Sequence, residues 1–171
     1  MIVTSIDIGY KGGVAKHQIL NNSEAVLIDF YPMPVIKTQI KRKGKIKIKS
    51  DINIPELITI LQDSSLIVIE DIHSRPTDGK VSAFNFGYQK GLIVGLSIKS
   101  VGINNVYLIH PQSWKSKVGL IKKSKQDTIK IVNDLYNLTL AKKDDGIADA
   151  IMIGRAFILS TLNVKTIHPY R

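Results

Sequence analysis

A single carboxylate set inside an apolar run constrains this chain more than any other feature. Met1 to Gly13 reads MIVTSIDIGYKGG: a β-branched run, then Asp7, then Ile8 and Gly9, with Gly12 and Gly13 supplying a turn. The pattern predicts a central strand that ends in a hairpin. An ionised acid in such a strand gives up its hydration, and without partners it responds by shifting its pKa. Asp7 therefore requires either hydrogen bonds from the turn that follows or a cation. Acids further along the chain add weight to the cation.

The 171 residues are most economically one domain, 1–171, and a hydrophobic fraction of 44% suits a globular core. A formal net charge of +10 points to an anionic partner, nucleic acid or a membrane surface. The chain has no cysteine, which excludes disulfides and thiolate metal sites and leaves carboxylate and imidazole as the strong ligands. A hard, oxygen-preferring ion fits that set. No apolar run approaches the roughly 18 residues of a membrane span, and no basic segment leads into an apolar one at the N-terminus, so a soluble, cytoplasmic protein is expected.

After the first turn, residues 14–20 and 25–31 read as a second and third strand joined at 21–24, an antiparallel meander that Pro32 and Pro34 stop. Lys37 to Lys49 (KTQIKRKGKIKIK) then carries seven basic residues and no acid, with Gly44 near its middle. A projecting basic hairpin is expected, with Lys37, Lys41, Arg42, Lys43, Lys45, Lys47 and Lys49 as phosphate contacts. Asn53 and Glu56 have capping-box spacing and, with Pro55, open a helix to about Gln62. Leu66 to Glu70 (LIVIE) is apolar on both parities, as a strand covered on both faces is, and it too ends in an acid.

A long helix is predicted over 81–99, where Gly87, Gly91 and Gly95 recur every fourth residue on one face. Either another backbone, that of a second copy, lies on this face or the helix seats itself closely on its own sheet. Residues 105–110 make a fifth strand, and 112–125 a basic connection holding the lone Trp114 with Lys115, Lys117, Lys122, Lys123 and Lys125. Ser124 and Asp127 cap a helix to about Asn137, and a last helix runs from near Asp145 to about Leu162. This order suits a mixed α/β sheet with helices on both faces.

The segment Lys142 to Ala150 (KKDDGIADA) supplies the remaining acids. Asp145 and Asp149 are one helical turn apart on one face, where like charges repel. If the first strand and the strand at 66–70 are parallel neighbours, Asp7 and Glu70 end side by side and the last helix brings Asp149 and Asp145 over them. Two divalent ions would relieve the repulsion, and two such ions about 4 Å apart are an arrangement that hydrolyses phosphodiesters. His73 and His110 are more simply packing or hydrogen-bonding residues than proton carriers. Of Phe84 and Phe86, at least one is expected in the core, the other being available to stack on a base.

Taken together, SIDIG around Asp7, IVIEDIHSRP around Glu70, SAFNFGYQKGLIVGL, IHPQSWKSKVG and KKDDGIADA resemble the RuvC family of Holliday junction resolvases, above all its phage, mitochondrial and poxviral branches. The resemblance runs in order over nearly the whole chain. It implies a ribonuclease H-like fold with a mixed five-stranded sheet flanked by helices, a homodimer built partly on the glycine face, Mg²⁺ or Mn²⁺ at two ions per site, and paired nicking of four-way and other branched DNA in recombination, repair or phage genome processing. In a phage-encoded chain the compartment would be the host cytoplasm. Asp7, Glu70 and Asp149 fall on the family's acids. Its penultimate acid often stands three residues before the last, where this chain has Gly146, so Asp145 and Asp144 compete for that role. The lysines of 115–125 match a region that meets DNA and assists cleavage. Two other readings stand beside it: a non-catalytic, structure-selective DNA-binding protein of the same fold, and a phosphate-binding ATPase of the actin-like or sugar-kinase kind, which needs two such domains and for which the chain is short.

Overall fold

In the computed structural model, residues 1–21, 24–42, 44–74, 77–162 and 165–167 are described. The chain opens with a meander of β1 (Ile2–Asp7), β2 (Gly13–Asn21) and β3 (Glu24–Pro32), followed by a separate pair, β4 (Val35–Arg42) and β5 (Lys45–Ile52). Helix α1 (Ile54–Leu61) leads to β6 (Leu66–Glu70), and α2 (Lys80–Val101) leads to β7 (Val106–Ile109). Three helices follow: α3 (Pro111–Lys117), α4 (Lys125–Tyr136) and α5 (Asp145–Phe157), the last continued by a π-type turn, Ile158–Leu162, into a short β8 (Lys165–Ile167).

The main sheet has the order β7-β6-β1-β2-β3-β8. It contains the five expected strands, with β8 added at one edge. β1 is antiparallel to β2 and parallel to β6, which is itself parallel to β7. The crossover through α1 therefore makes β1 and β6 neighbours, as the sequence led us to expect. No helix among the described residues is long and apolar enough to cross a membrane.

Alternation along the central strands divides the core in two. Val3 on β1 and Val68 on β6 face a cluster with α3, α4 and α5, whereas Ile6, Ile67 and Ile69 face α1 and α2. Asp7 and Glu70 share the parity of Val3 and Val68, and so belong to the α5 face. That helix is buried along most of its length, with Gly146, Ala148, Ala150, Gly154 and Ala156 among its buried positions.

Small residues on α5 permit an approach that side chains would block. A Cβ on Gly146 would lie 2.1 Å from the Lys11 carbonyl oxygen in the turn between β1 and β2, and one on Gly13 would lie 2.7 Å from the Gly146 carbonyl oxygen. One turn from its end, Gly154 leaves room for Ser5 and the buried His17, either of which a Cβ would meet at 2.6 Å. Ser5 Oγ donates to the Ala150 carbonyl at 2.7 Å and fixes the helix along β1.

Local signals held in some places and yielded in others. Ser124 and Asp127 form the expected reciprocal cap of α4. Asn53 caps no backbone group; its side chain donates instead to Glu56 Oε2 at 2.7 Å. The segment expected as a basic connection folds in part as α3, because His110 Nδ1 accepts from the Gln112 N–H and Pro111 takes the first turn. Phe84 and Phe86 are 74% and 39% exposed, so neither packs in the core as expected. The first two turns of α2 are exposed almost throughout, and the helix is buried only from Gln89 onward.

The glycines give a paired prediction. Gly146→Ala should destabilise the fold by about 3 kcal/mol or prevent it, since the clash is with backbone that has nowhere to move. Gly95→Ala, on an open helix surface, should instead stabilise by up to about 1 kcal/mol. Urea denaturation of both variants checks the contrast.

Candidate active site

The parallel register pairs Ile6 with Ile69, so Asp7 and Glu70 are the next residues on adjacent strands and leave the sheet at the same end. Asp149, in the second turn of α5 between buried Ala148 and Ala150, completes the group. Burial raises the Asp7 pKa well above the usual carboxylate range; the charges of Glu70 and Asp149 and hydrogen bonding to Glu70 raise it further, and Lys125 opposes them. Asp149 is pushed up to about 6, first by burial, against the pull of Lys115 and Lys125 and with the repulsion of Glu70 and Asp145. Three acids thus act on one another across two strands and a helix.

Asp145 and Asp144 separate at the start of α5. Asp145 is paired with Lys125, the first residue of α4, and its charge reaches Asp149. Asp144 accepts from the Ala141 N–H at 2.9 Å, closing the turn before the helix, and lines a recess with Tyr10, Lys11 and Gly12. Of the two, Asp145 is the one whose charge acts on Asp149. Gly146 is unavailable to any acid for the steric reason given above.

Two cations and one indole, all from 110–125, surround the acids. Trp114 is fully buried and donates its Nε1–H to Glu70 Oε1 at 2.9 Å. Lys115 places Nζ 5.1 Å from the centre of the same ring, an attractive arrangement, and is a cation that lowers the Asp149 pKa. Beside Glu70 opens a cleft of about 540 Å³ lined by Asp71, His73, His110 and Lys115, the two imidazole centres standing 6.4 Å apart. Sequence reasoning named the lysines as a group and missed the Trp114 contact; an isolated tryptophan beside Lys115 in an otherwise polar segment was the available signal.

Among the described residues, no three carboxylate or imidazole side chains are arranged to hold an ion as they stand. Glu70 is turned onto Trp114, and Asp145 onto Lys125. The donor set itself suits a hard divalent cation: it is all oxygen, half-buried, and held in mutual repulsion that positive charge relieves.

The other expected contacts lie further away. Lys117, Lys122 and Lys123 are exposed and enter no ion pair among the described residues. Lys37, Lys41, Lys45, Lys47 and Lys49 are exposed on β4 and β5, where Lys49 pairs with Asp51 at 3.1 Å. Lys43 and the side chain of Arg42 lie outside the described residues. Gly87, Gly91 and Gly95 are exposed, and a Cβ on any of them would meet nothing within 4 Å. They do not seat α2 on its own sheet, a role taken by Gln89, Ile93 and Ser97.

This is a ribonuclease H-like α/β fold with its acids gathered at the end of the central strands. No protein-family model matches the chain, and no curated protein matches it in sequence. Solved structures do: the RuvC structure from Thermus thermophilus, at a TM-score of 0.59 and 16% identity, covers 92% of this chain and 95% of its own. The T. thermophilus RuvC in complex with Holliday junction substrate gives 0.54 and 14%, over 92% and 94%. The yeast mitochondrial Holliday junction resolvase Ydc2 gives 0.56 and 15%, over 91% of this chain and 78% of its own. The chain has the fold of these resolvases.

Because the folded Asp149 titrates near 6 rather than 3.8, the native chain retains a proton that the unfolded chain releases between those values. Stability should therefore fall as pH rises through this window. In metal-free buffer Asp149→Asn should gain on the parent chain from pH 4 to 7 by at most about 3 kcal/mol. Thermal melts across that range test the sign.

Proposed function

We propose that the chain is a metal-dependent endonuclease that binds four-way DNA junctions, and other branched DNA, and resolves them by paired phosphodiester hydrolysis. The observation that carries this reading is the convergence of Asp7, Glu70 and Asp149 at one end of the sheet with Lys115 and Lys125 beside them. Its support is the shared fold with solved resolvases, one of them in complex with Holliday junction substrate.

Asp7, Glu70, Asp149 and Asp145 would hold two Mg²⁺ or Mn²⁺ ions, which when bound would activate water and stabilise the leaving oxygen. Trp114 holds one Glu70 oxygen, Oε1, through its indole N–H, which would leave the other oxygen to an ion. Lys125, which pairs with Asp145, would be available to a phosphate oxygen if an ion held that carboxylate. Lys115, held over the indole, adds a fixed positive charge near the substrate backbone. The proposed assembly is a homodimer through α2, whose glycine face is open and whose Val81, Phe84 and Tyr88 are exposed. Two sites on one body match the two strands to be cut.

A synthetic four-way junction incubated with and without Mg²⁺ tests the reading. Cleavage should require the ion, and Asp7→Asn, Glu70→Gln, Asp149→Asn and Asp145→Asn should each lower it by roughly two orders of magnitude or more while sparing binding. Asp144→Asn should change it less than about threefold, as expected for an acid that closes a turn. Binding without cutting at any metal concentration would return the chain to the class of structure-selective DNA-binding proteins. Sedimentation should give about twice 19.0 kDa, and Gly91→Leu should reduce it; a monomer with junction bound would exclude the dimer.

A further inference from the structure

The pair β4 and β5 is the largest element that the proposed chemistry leaves unused. It forms a two-stranded sheet of its own, registered from Val35 opposite Ile52 to Arg42 opposite Lys45. Eight residues per strand give it a length of about 27 Å. Its root is buried, with Met33 and Ile52 in the core, and the Met33 N–H donates to the Gly12 carbonyl at 2.9 Å. That is the turn on which α5 lies. The ribbon therefore springs from the end of the sheet where Asp7 and Glu70 emerge.

Outward from the root, every described side chain from Lys37 to Lys49 is exposed. Opposed residues of an antiparallel pair project to the same side. One face carries Thr38 with Lys49 and Ile40 with Lys47; the other carries Lys37 with Ser50, Gln39 with Ile48 and Lys41 with Ile46. Lysine and isoleucine thus share both faces. Ile46 and Ile48 are each 69% exposed, and Ile36 and Ile40 45% and 39%. Solvation alone does not select four isoleucines here. Lys37, Lys41, Lys45 and Lys47 have no ion-pair partner among the described residues, whereas Lys49 is matched by Asp51.

A second copy pairing edge to edge would align two lysine-dense strands, and their repulsion argues against it. A polyanion removes the repulsion. The major groove of DNA is about 12 Å wide and admits a two-stranded ribbon, with phosphates along both walls and thymine methyl groups on its floor. A ribbon with cations on both faces and apolar groups between them matches that groove, and its length approaches one helical turn of about 34 Å. We infer that the β4–β5 ribbon lies in the major groove of a duplex arm leaving the junction, its lysines on phosphates of both strands and Ile40, Ile46 and Ile48 against base edges. Only the identification of the duplex as a junction arm rests on the nuclease reading.

Dimethyl sulfate, which methylates guanine N7 in the major groove, is applied to a junction with arms of two helical turns, bound in metal-free buffer by the full chain. The expected result is N7 protection within an arm, away from the crossover. Replacing Lys37, Lys41, Lys45 and Lys47 by glutamine should abolish that protection and reduce the slope of log affinity against log salt by about 3 to 4. Ile46→Ser with Ile48→Ser should weaken binding severalfold and leave the slope unchanged. Bound junction without N7 protection in the parent chain overturns the inference, as does an unchanged slope in the lysine variant. A lysine variant that alters sedimentation and retains the protection gives the ribbon to a second copy and also overturns it. Cutting in Mg²⁺ is read separately: cutting without protection defeats the ribbon alone, and protection without cutting defeats the nuclease reading and supports the ribbon.

Discussion

The approach of α5 to the turn between β1 and β2 is the contact on which both fold and site depend. Gly13 and Gly146 bring two backbones within a distance that no Cβ permits. The Ser5 hydroxyl then holds the same helix at Ala150. With the helix fixed at these two points, Asp145 and Asp149 have no freedom to retreat from Asp7 and Glu70. The geometry that gathers the acids is thus set by steric and hydrogen-bond terms, and the electrostatic terms must conform to it.

Their conformity is incomplete, and the incompleteness is informative. Asp7 and Asp149 remain shifted upward although Lys115 and Lys125 stand nearby. A chain with a formal net charge of +10 has cations to spare, yet it does not neutralise this cluster. The surplus lies elsewhere, on the β4–β5 ribbon and on the segment before α4. Positive charge spread over the surface beside a pocket of acids is the distribution expected of a protein that holds a polyanion and reserves its acids for small cations.

Much of this was legible in the sequence. Asp7 and Glu70 were visible as acids closing apolar runs, and the parity of those runs with the right-handed crossover placed them together. The split of Asp144 from Asp145 was not legible, because it turns on which backbone N–H captures the first carboxylate. Nor was the need for Gly146, which depends on a contact across about 135 residues between that position and Lys11. The α2 glycines were legible as a stripe, but spacing could not say whether that face met the sheet; it does not. Phe84 and Phe86 failed as core candidates because hydrophobicity does not say which turns of a long helix will be covered.

The central claim is that the acids at the end of β1 and β6 form one cation site. The most direct measurement is calorimetric titration of Mn²⁺ into the junction-free protein near pH 6, repeated in buffers of different ionisation enthalpy. Acids held partly protonated must release protons as the ion binds. The account predicts saturable binding with net proton release, and loss of both in Asp7→Asn. Absence of binding, or binding with no proton release that survives in Asp7→Asn, would contradict it.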